Sequence, residues 1–178
     1  MTFGSVTVNP GLYQRVEGSR VALDGTLSWR TTVPLAWRPD GINASSDKAG
    51  GMYLTWRYGA ADGPMYDVLG LHLDALGQPM PGWPATGLTI CADPGQQESP
   101  HVAASALGAV FVWQDLRGGA RDLYCQAMTP EGQMRPGFTL NGAVLCDAAG
   151  DQDEIVTVAD GEGGVVIVWR DRRSDGGK

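Results

Sequence analysis

Two histidines and three cysteines in 178 residues leave little material for metal ligation or thiol chemistry. No Cys-x-x-Cys pair and no Cys/His grouping has zinc spacing. No Gly-x-Ser-x-Gly elbow exists, so a serine nucleophile of that kind is excluded. Basic residues are outnumbered, 13 against 20, and the net charge is −7. Such a surface repels phosphate backbones and anionic lipid, which argues against nucleic-acid partners. No apolar run approaches the roughly 18 residues of a membrane span, so no membrane insertion is expected. Met1–Val8 lacks the basic-then-apolar order of an export signal. Helical i, i+3, i+4 spacing is also missing from every stretch of ten residues or more. What the chain has in quantity is 26 Gly and 11 Pro, spread between short apolar runs. That distribution reads as many turns rather than disorder.

A segment recurs at a fixed interval. Gly87-Leu88-Thr89-Ile90-Cys91 returns as Gly142-Ala143-Val144-Leu145-Cys146, a shift of 142 − 87 = 55. Gly82-Trp83 returns as Gly137-Phe138, and Gly77-Gln78 as Gly132-Gln133, at the same shift. Trp56, Trp113 and Trp169 close three apolar runs, 113 − 56 = 57 and 169 − 113 = 56 apart. A period of this size signals stacked units, each too small to bury its own apolar face.

The clearest unit holds four strands: His101–Ser105, Ala109–Trp113, Asp122–Met128 and Val144–Cys146. Short β-branched and aromatic runs closed by Gly, Pro and Asp clusters predict strands. The preceding unit repeats the plan with Met52–Trp56, Tyr66–Leu73 and Gly87–Cys91, its first strand falling within Ile42–Lys48. Arg20–Gly25 reads as a third strand and turn, and Val33–Ala36 as a fourth. Ile155–Val158 and Val165–Trp169 read as first and second strands. One domain over 1–178 is expected: a half unit at about 12–40, units at about 42–92 and 98–148, and a half unit at about 155–173. The second strands are almost continuously apolar, which predicts burial on both faces.

Four short antiparallel strands per unit of about 55 residues is the blade geometry of a β-propeller. The pattern Trp113-Gln114-Asp115-Leu116-Arg117, its echo Trp169-Arg170-Asp171-Arg172-Arg173, and Gly95-Gln96-Gln97 with Gly150-Asp151-Gln152 resemble the repeats of secreted bacterial propeller proteins of the sialidase-like superfamily. The resemblance spans Ser19–Arg173 and implies an all-β, partial β-propeller with about three blades' worth of sequence. It also implies an extracellular or cell-surface address. The superfamily's aspartate box is not met: Ser45–Gly50 has its glycine one place late, and Asp24 and Gly25 are adjacent. Propellers close with four to eight blades. Three outcomes follow: a piece of a larger ring, a ring completed by other copies of the chain, or an open arc with exposed edges.

Candidate chemistry is weighed against plainer roles. Asp115 with Arg117, and Asp171 with Arg173, could bind an anionic group through a guanidinium fork. Because the pair recurs, a capped turn that ties neighbouring units is preferred. Asp151-Gln152-Asp153-Glu154 lacks calcium-loop spacing and a central glycine, and Asp47, Asp62 and Asp93 form no better cluster. His72 and His101 are expected as satisfied strand histidines, and Cys91, Cys125 and Cys146 as small buried residues. Trp29 and Trp83 are expected to lie over the strands; Trp37 falls outside the period and is the aromatic to inspect for sugar stacking. Asn43-Ala44-Ser45 fits a glycosylation sequon that chance also produces. No catalytic residue, cofactor site or metal ligand is assigned. The expected function is a non-catalytic scaffold or a module binding protein or carbohydrate. Its alternatives are a piece of a sialidase-like glycoside hydrolase and an oligomeric lectin.

Overall fold

The structure, a computed structural model, describes residues 2–6, 14–35, 39–59 and 66–173. Every regular element among them is a β-strand. β1 (Thr2–Val6), β2 (Gln14–Val21) and β3 (Leu27–Leu35) form a first sheet in chain order. β4 (Pro39–Ser46), β5 (Met52–Tyr58), β6 (Asp67–Leu73) and β7 (Leu88–Cys91) form a second. β8 (Gln97–Ser105), β9 (Gly108–Asp115), β10 (Asp122–Met128) and β11 (Ala143–Cys146) form a third, and β12 (Gln152–Ala159) and β13 (Val165–Asp171) a fourth. All ladders between these strands are antiparallel.

Tryptophan and glycine explain the recurring segment. Gly87 (φ 98°) and Gly142 (φ 90°) open the last strands of the second and third sheets in the left-handed region. A Cβ at Gly87 would lie 2.7 Å from the Trp56 ring, and one at Gly142 only 2.4 Å from the Trp113 ring. Each position therefore needs glycine twice over, for its backbone angle and for the indole beneath it. Both indoles are fully buried.

The first strands share a bulge. Register breaks between Asp40 and Asn43, between Glu98 and His101, and between Asp153 and Val156. A left-handed residue marks each: Gly41 (φ 62°), Ser99 (φ 46°) and Glu154 (φ 55°). The bulges lengthen these strands beyond the expected runs; β8 begins at Gln97 and β12 at Gln152.

The first sheet departs from expectation. The turn after β2 matches the turns after β6 and β10: the Ala22, Asp74 and Thr129 N–H groups reach Thr26, Gln78 and Gln133 carbonyls at 2.7–2.8 Å. In the second and third sheets the chain then leaves the ladder and loops through Gly82-Trp83 or Gly137-Phe138 before returning. In the first sheet it continues straight into β3, with Trp29 paired to Arg20. Val33–Leu35 is thus the end of a nine-residue strand and not a separate short one. The shift here is 77 − 25 = 52 between turn glycines, against 132 − 77 = 55 further on.

The core runs across the sheets. Val16 and Val33 of the first, Met52, Leu54, Trp56 and Leu71 of the second, and Val102, Phe111 and Trp113 of the third make one apolar cluster. A second cluster joins Val112 and Leu123 of the third sheet to Ile155 of the fourth. β5 and β9 are buried on both faces, as their apolar runs predict, whereas β13 alternates. Polar groups stitch the stack: Asn43 Oδ1 accepts from Val102 N–H (3.1 Å), and Ser45 Oγ from Ala104 N–H (3.0 Å). Asn43, the sequon residue, is thereby part of the contact between sheets. Gln97 and Gln152, fully buried at matching positions, donate back to Asp93 and Ala148 carbonyls (both 3.2 Å) and fix the linkers between sheets.

Candidate functional site

Asp115 ends β9 with its carboxylate out of water. It accepts from Trp113 Nε1 (2.9 Å), from the Arg117 backbone N–H (3.0 Å) and from the Arg117 guanidinium (2.5 Å). Burial alone would raise this carboxyl; the hydrogen bonds from Arg117 and Trp113 outweigh it and hold the group below the usual carboxylate range. Arg117 also donates to the Asn141 carbonyl (3.0 Å), pairs with Asp93 (3.2 Å) and lies 4.1 Å over the Tyr124 ring. One guanidinium therefore ties the turn after β9, the approach to β11 and the linker out of the second sheet. It also touches Cys91 Sγ (3.4 Å), but burial pushes that thiol up to about 11, so it stays protonated at neutral pH.

The matching positions vary the theme. In the fourth sheet the Arg173 N–H caps Asp171 (2.9 Å) and its guanidinium returns to the same carboxylate (2.7 Å), in the open. The hydrogen bond from Arg173 holds Asp171 down at about 2. In the second sheet Tyr58 faces Pro39 across the ladder, as Asp115 faces Gln97. No carboxylate stands there, and the buried Trp56 N–H has no partner.

The acidic run that leads into and opens β12 is committed to arginines. Asp151 pairs with Arg121 (3.2 Å), which also holds Glu98 (3.1 Å). Asp153 takes Arg170 (2.6 Å) and Arg172 (2.7 Å), and Glu154 takes Arg170 (2.8 Å). The Arg170 hydrogen bond, then that of Arg172, draws the Asp153 carboxyl down to about 2. Among the described residues, no group of three or more His, Cys, Asp or Glu is placed to hold a metal ion.

His72 is buried at the end of β6. It stacks on Tyr53 (centroids 3.9 Å apart), meets Asp47 through Nε2 (3.3 Å) and the Pro130 carbonyl through Nδ1 (3.2 Å). The Trp83 N–H donates to the same carbonyl (2.8 Å), and Trp83 is buried, so it offers no exposed platform. Trp29 covers Gly77, whose Cβ would come within 2.7 Å of its ring. His101 is half-buried, which pushes its imidazole down. Of the three thiols, all free, only Cys91 is fully buried; Cys125 and Cys146, expected to be buried, are partly exposed on β10 and on the edge strand β11. Trp37 and Asp62 lie outside the described residues.

One cleft draws on several sheets. The hairpin tips of the second, third and fourth sheets converge: Asp47–Ala49, Ala104–Ala106, and Ala159, Gly161 and Gly163 line a space of about 360 Å³. Asp47 shapes it. Its Oδ1 accepts from the Ala49 and Gly51 N–H groups (both 2.8 Å), while Oδ2 faces His72. Asp160 makes the matching turn, accepting from Glu162 (2.7 Å) and Gly164 (2.9 Å). The walls are mostly small side chains and backbone, with Asp47 and the exposed Lys48 as the charged lining residues. Sequence reasoning missed this cleft, although Asp47-Lys48-Ala49-Gly50-Gly51 and Asp160-Gly161-Glu162-Gly163-Gly164 share an Asp-x-x-Gly-Gly turn that could have pointed to two of its walls.

No family model matches the sequence, and no curated protein or solved structure matches the chain.

Proposed function

We propose that this chain is a non-catalytic, propeller-type scaffold of a secreted or surface bacterial protein, whose hairpin-tip cleft binds a sugar or peptide. Its stacked antiparallel sheets of sequence-adjacent strands support the propeller reading. The observation that carries the non-catalytic reading is the closure of its charges. Asp115, Asp151, Asp153 and Asp171 all end on arginines, in pairs that hold turns and linkers. A glycosidase needs two carboxylates converging on an open space, one of them kept protonated. Here Asp115, Asp153 and Asp171 are drawn down, not up, and none of them lines the cleft; Asp122 and Asp67, pushed up by burial, do not line it either. The cleft instead presents backbone groups, small side chains, the Asp47 carboxylate committed to its own turn and the Lys48 ammonium, one charge of each sign, which suits positioning a neutral polar ligand.

The test is a panel of chromogenic glycosides, sialosides included, run beside binding to immobilised oligosaccharides and peptides. No turnover is expected, with binding abolished by Ala106→Trp, which fills the cleft. Turnover by the purified chain, or binding indifferent to Ala106→Trp, overturns the reading.

A further inference from the structure

The turns Asp47–Gly51 and Asp160–Gly164 follow one plan with one telling difference. In each, the aspartate Oδ1 accepts from the third and fifth N–H groups, both at 2.8 Å in the first turn and at 2.7 and 2.9 Å in the second. The second residue of each is left-handed, Gly161 at φ 86° and Lys48 at φ 63°. The fourth sheet meets that angle with glycine, which holds it without strain. The second sheet meets it with lysine, at a cost in stability. Strain kept in this way points to work done by the side chain.

Lys48 lines not only the hairpin-tip cleft but a second space of about 390 Å³, between the β2–β3 turn and its own turn. The other cation there is Arg20, at the end of β2, where the ladder register breaks between Arg20 and Val21. Its guanidinium lies against the glycine of the facing turn: a Cβ on Gly50 would come 3.4 Å from Arg20 Nη1. Both cations are exposed to solvent, and among the described residues no carboxylate lines the space. The aspartates of the two turns are spent elsewhere. Asp24 accepts from Thr26 N–H (2.9 Å), and Asp47 serves its own turn and His72.

Uncompensated cations are the exception in this chain of net charge −7. Arg57, Arg117, Arg121, Arg170, Arg172 and Arg173 end on carboxylates, as does Arg15, and Arg135 ends on the Leu107 carbonyl. Among the described residues only Arg20, Arg30 and Lys48 have no such partner. Two of these three come from different sheets to the same space. A guanidinium fork and an ammonium with no carboxylate between them match an oxyanion. We propose that Arg20 and Lys48 form a binding site for the oxyanion group of an acidic ligand, a carboxylate or a tetrahedral sulfate or phosphate. The site lies apart from the hairpin-tip cleft and does not depend on that cleft's occupant, although Lys48 lines both.

The test follows amide and arginine side-chain shifts of the purified chain on titration with sodium sulfate, sodium phosphate and sodium acetate. Each salt replaces chloride at constant ionic strength, so that screening stays fixed. Saturable shifts at Arg20, Lys48 and Gly50 are expected, with Kd on the order of millimolar. Tighter binding of sulfate and phosphate identifies a tetrahedral group, and tighter binding of acetate a carboxylate. Arg20→Gln and Lys48→Gly are each expected to weaken binding about five-fold or more. Lys48→Gly should do so with an unchanged or higher urea midpoint, because glycine relieves the left-handed lysine. Arg30→Gln, at the other arginine without a partner, is expected to leave binding unchanged. So is Ala106→Trp, which fills the hairpin-tip cleft, so the two sites stand or fail separately. No saturable shift with any of the three salts overturns the proposal. So does equal loss in Arg30→Gln and Arg20→Gln, or a Lys48→Gly chain that binds as the parent or unfolds at lower urea.

Discussion

The third and fourth sheets carry the same first two strands in different surroundings. Ala103 and Val112 are buried in the third; Val158 and Val168, at 158 − 103 = 55 and 168 − 112 = 56, are exposed in the fourth. Trp113 is fully buried beneath Gly142 and bonded to Asp115, while Trp169 is partly exposed and its N–H is unpartnered. Burial here belongs to the neighbour and not to the strand. A sheet in such a stack becomes a core element only when the next one covers it, so stability is a sum of units and contacts between units.

Removing the tryptophans breaks that comparison most strongly. Trp113→Ala is expected to cost about 3–5 kcal/mol in urea unfolding, the usual loss for a large buried ring. Trp169→Ala should cost well under half of that, and equal losses would mean the fourth sheet is as tightly covered as the third. Next comes the glycine above the ring. Gly142→Ala must force a Cβ onto Trp113 and hold a left-handed alanine, about 2–4 kcal/mol together. Gly137→Ala has φ 95° but open space around it. It isolates the backbone share, about 1 kcal/mol.

Smaller effects sharpen the contrast. Asp115→Asn leaves the Arg117 charge poorly compensated and weakens the bond to Trp113, for about 2 kcal/mol. Asp171→Asn acts on an exposed pair and should shift the midpoint much less. The acid limb of stability follows from the same groups. Asp115, Asp153 and Asp171 are held below their ordinary values when folded. Their contribution is whole above the unfolded carboxylate range near pH 4 and is lost as pH falls toward the folded values, about 2 for Asp153 and Asp171. Melting temperatures from pH 5 down to pH 2 should therefore fall, and the fall should be shallower in Asp115→Asn.

The strands that sequence alone located well are those doing two jobs at once. β9 and β10 are buried between sheets, so their apolar runs stand out, and Gly87 and Gly142 recur because an indole and a left-handed backbone both demand glycine. β4 was hard to place because it contributes Asn43 and Ser45, polar side chains whose work is to receive N–H groups of β8. The bulges were illegible because Ser99 and Glu154 hold left-handed angles that side chains of their type do not announce. The break in period before β3 hid a long strand behind a short one. As for the site, the partners of Arg117 could be anticipated only as a tie between units. The cleft could not, since the Asp47 and Asp160 turns, though alike in sequence, come together only through the stacking of three sheets.

Amide hydrogen exchange addresses the dependence of each sheet on its neighbour most directly. β5, β6, β9 and β10 are expected to exchange together and slowest, through global unfolding, with β12 and β13 opening at clearly lower free energy. Equal protection of β13 and β9 would contradict the claim that covering by the next sheet sets where this chain is stable.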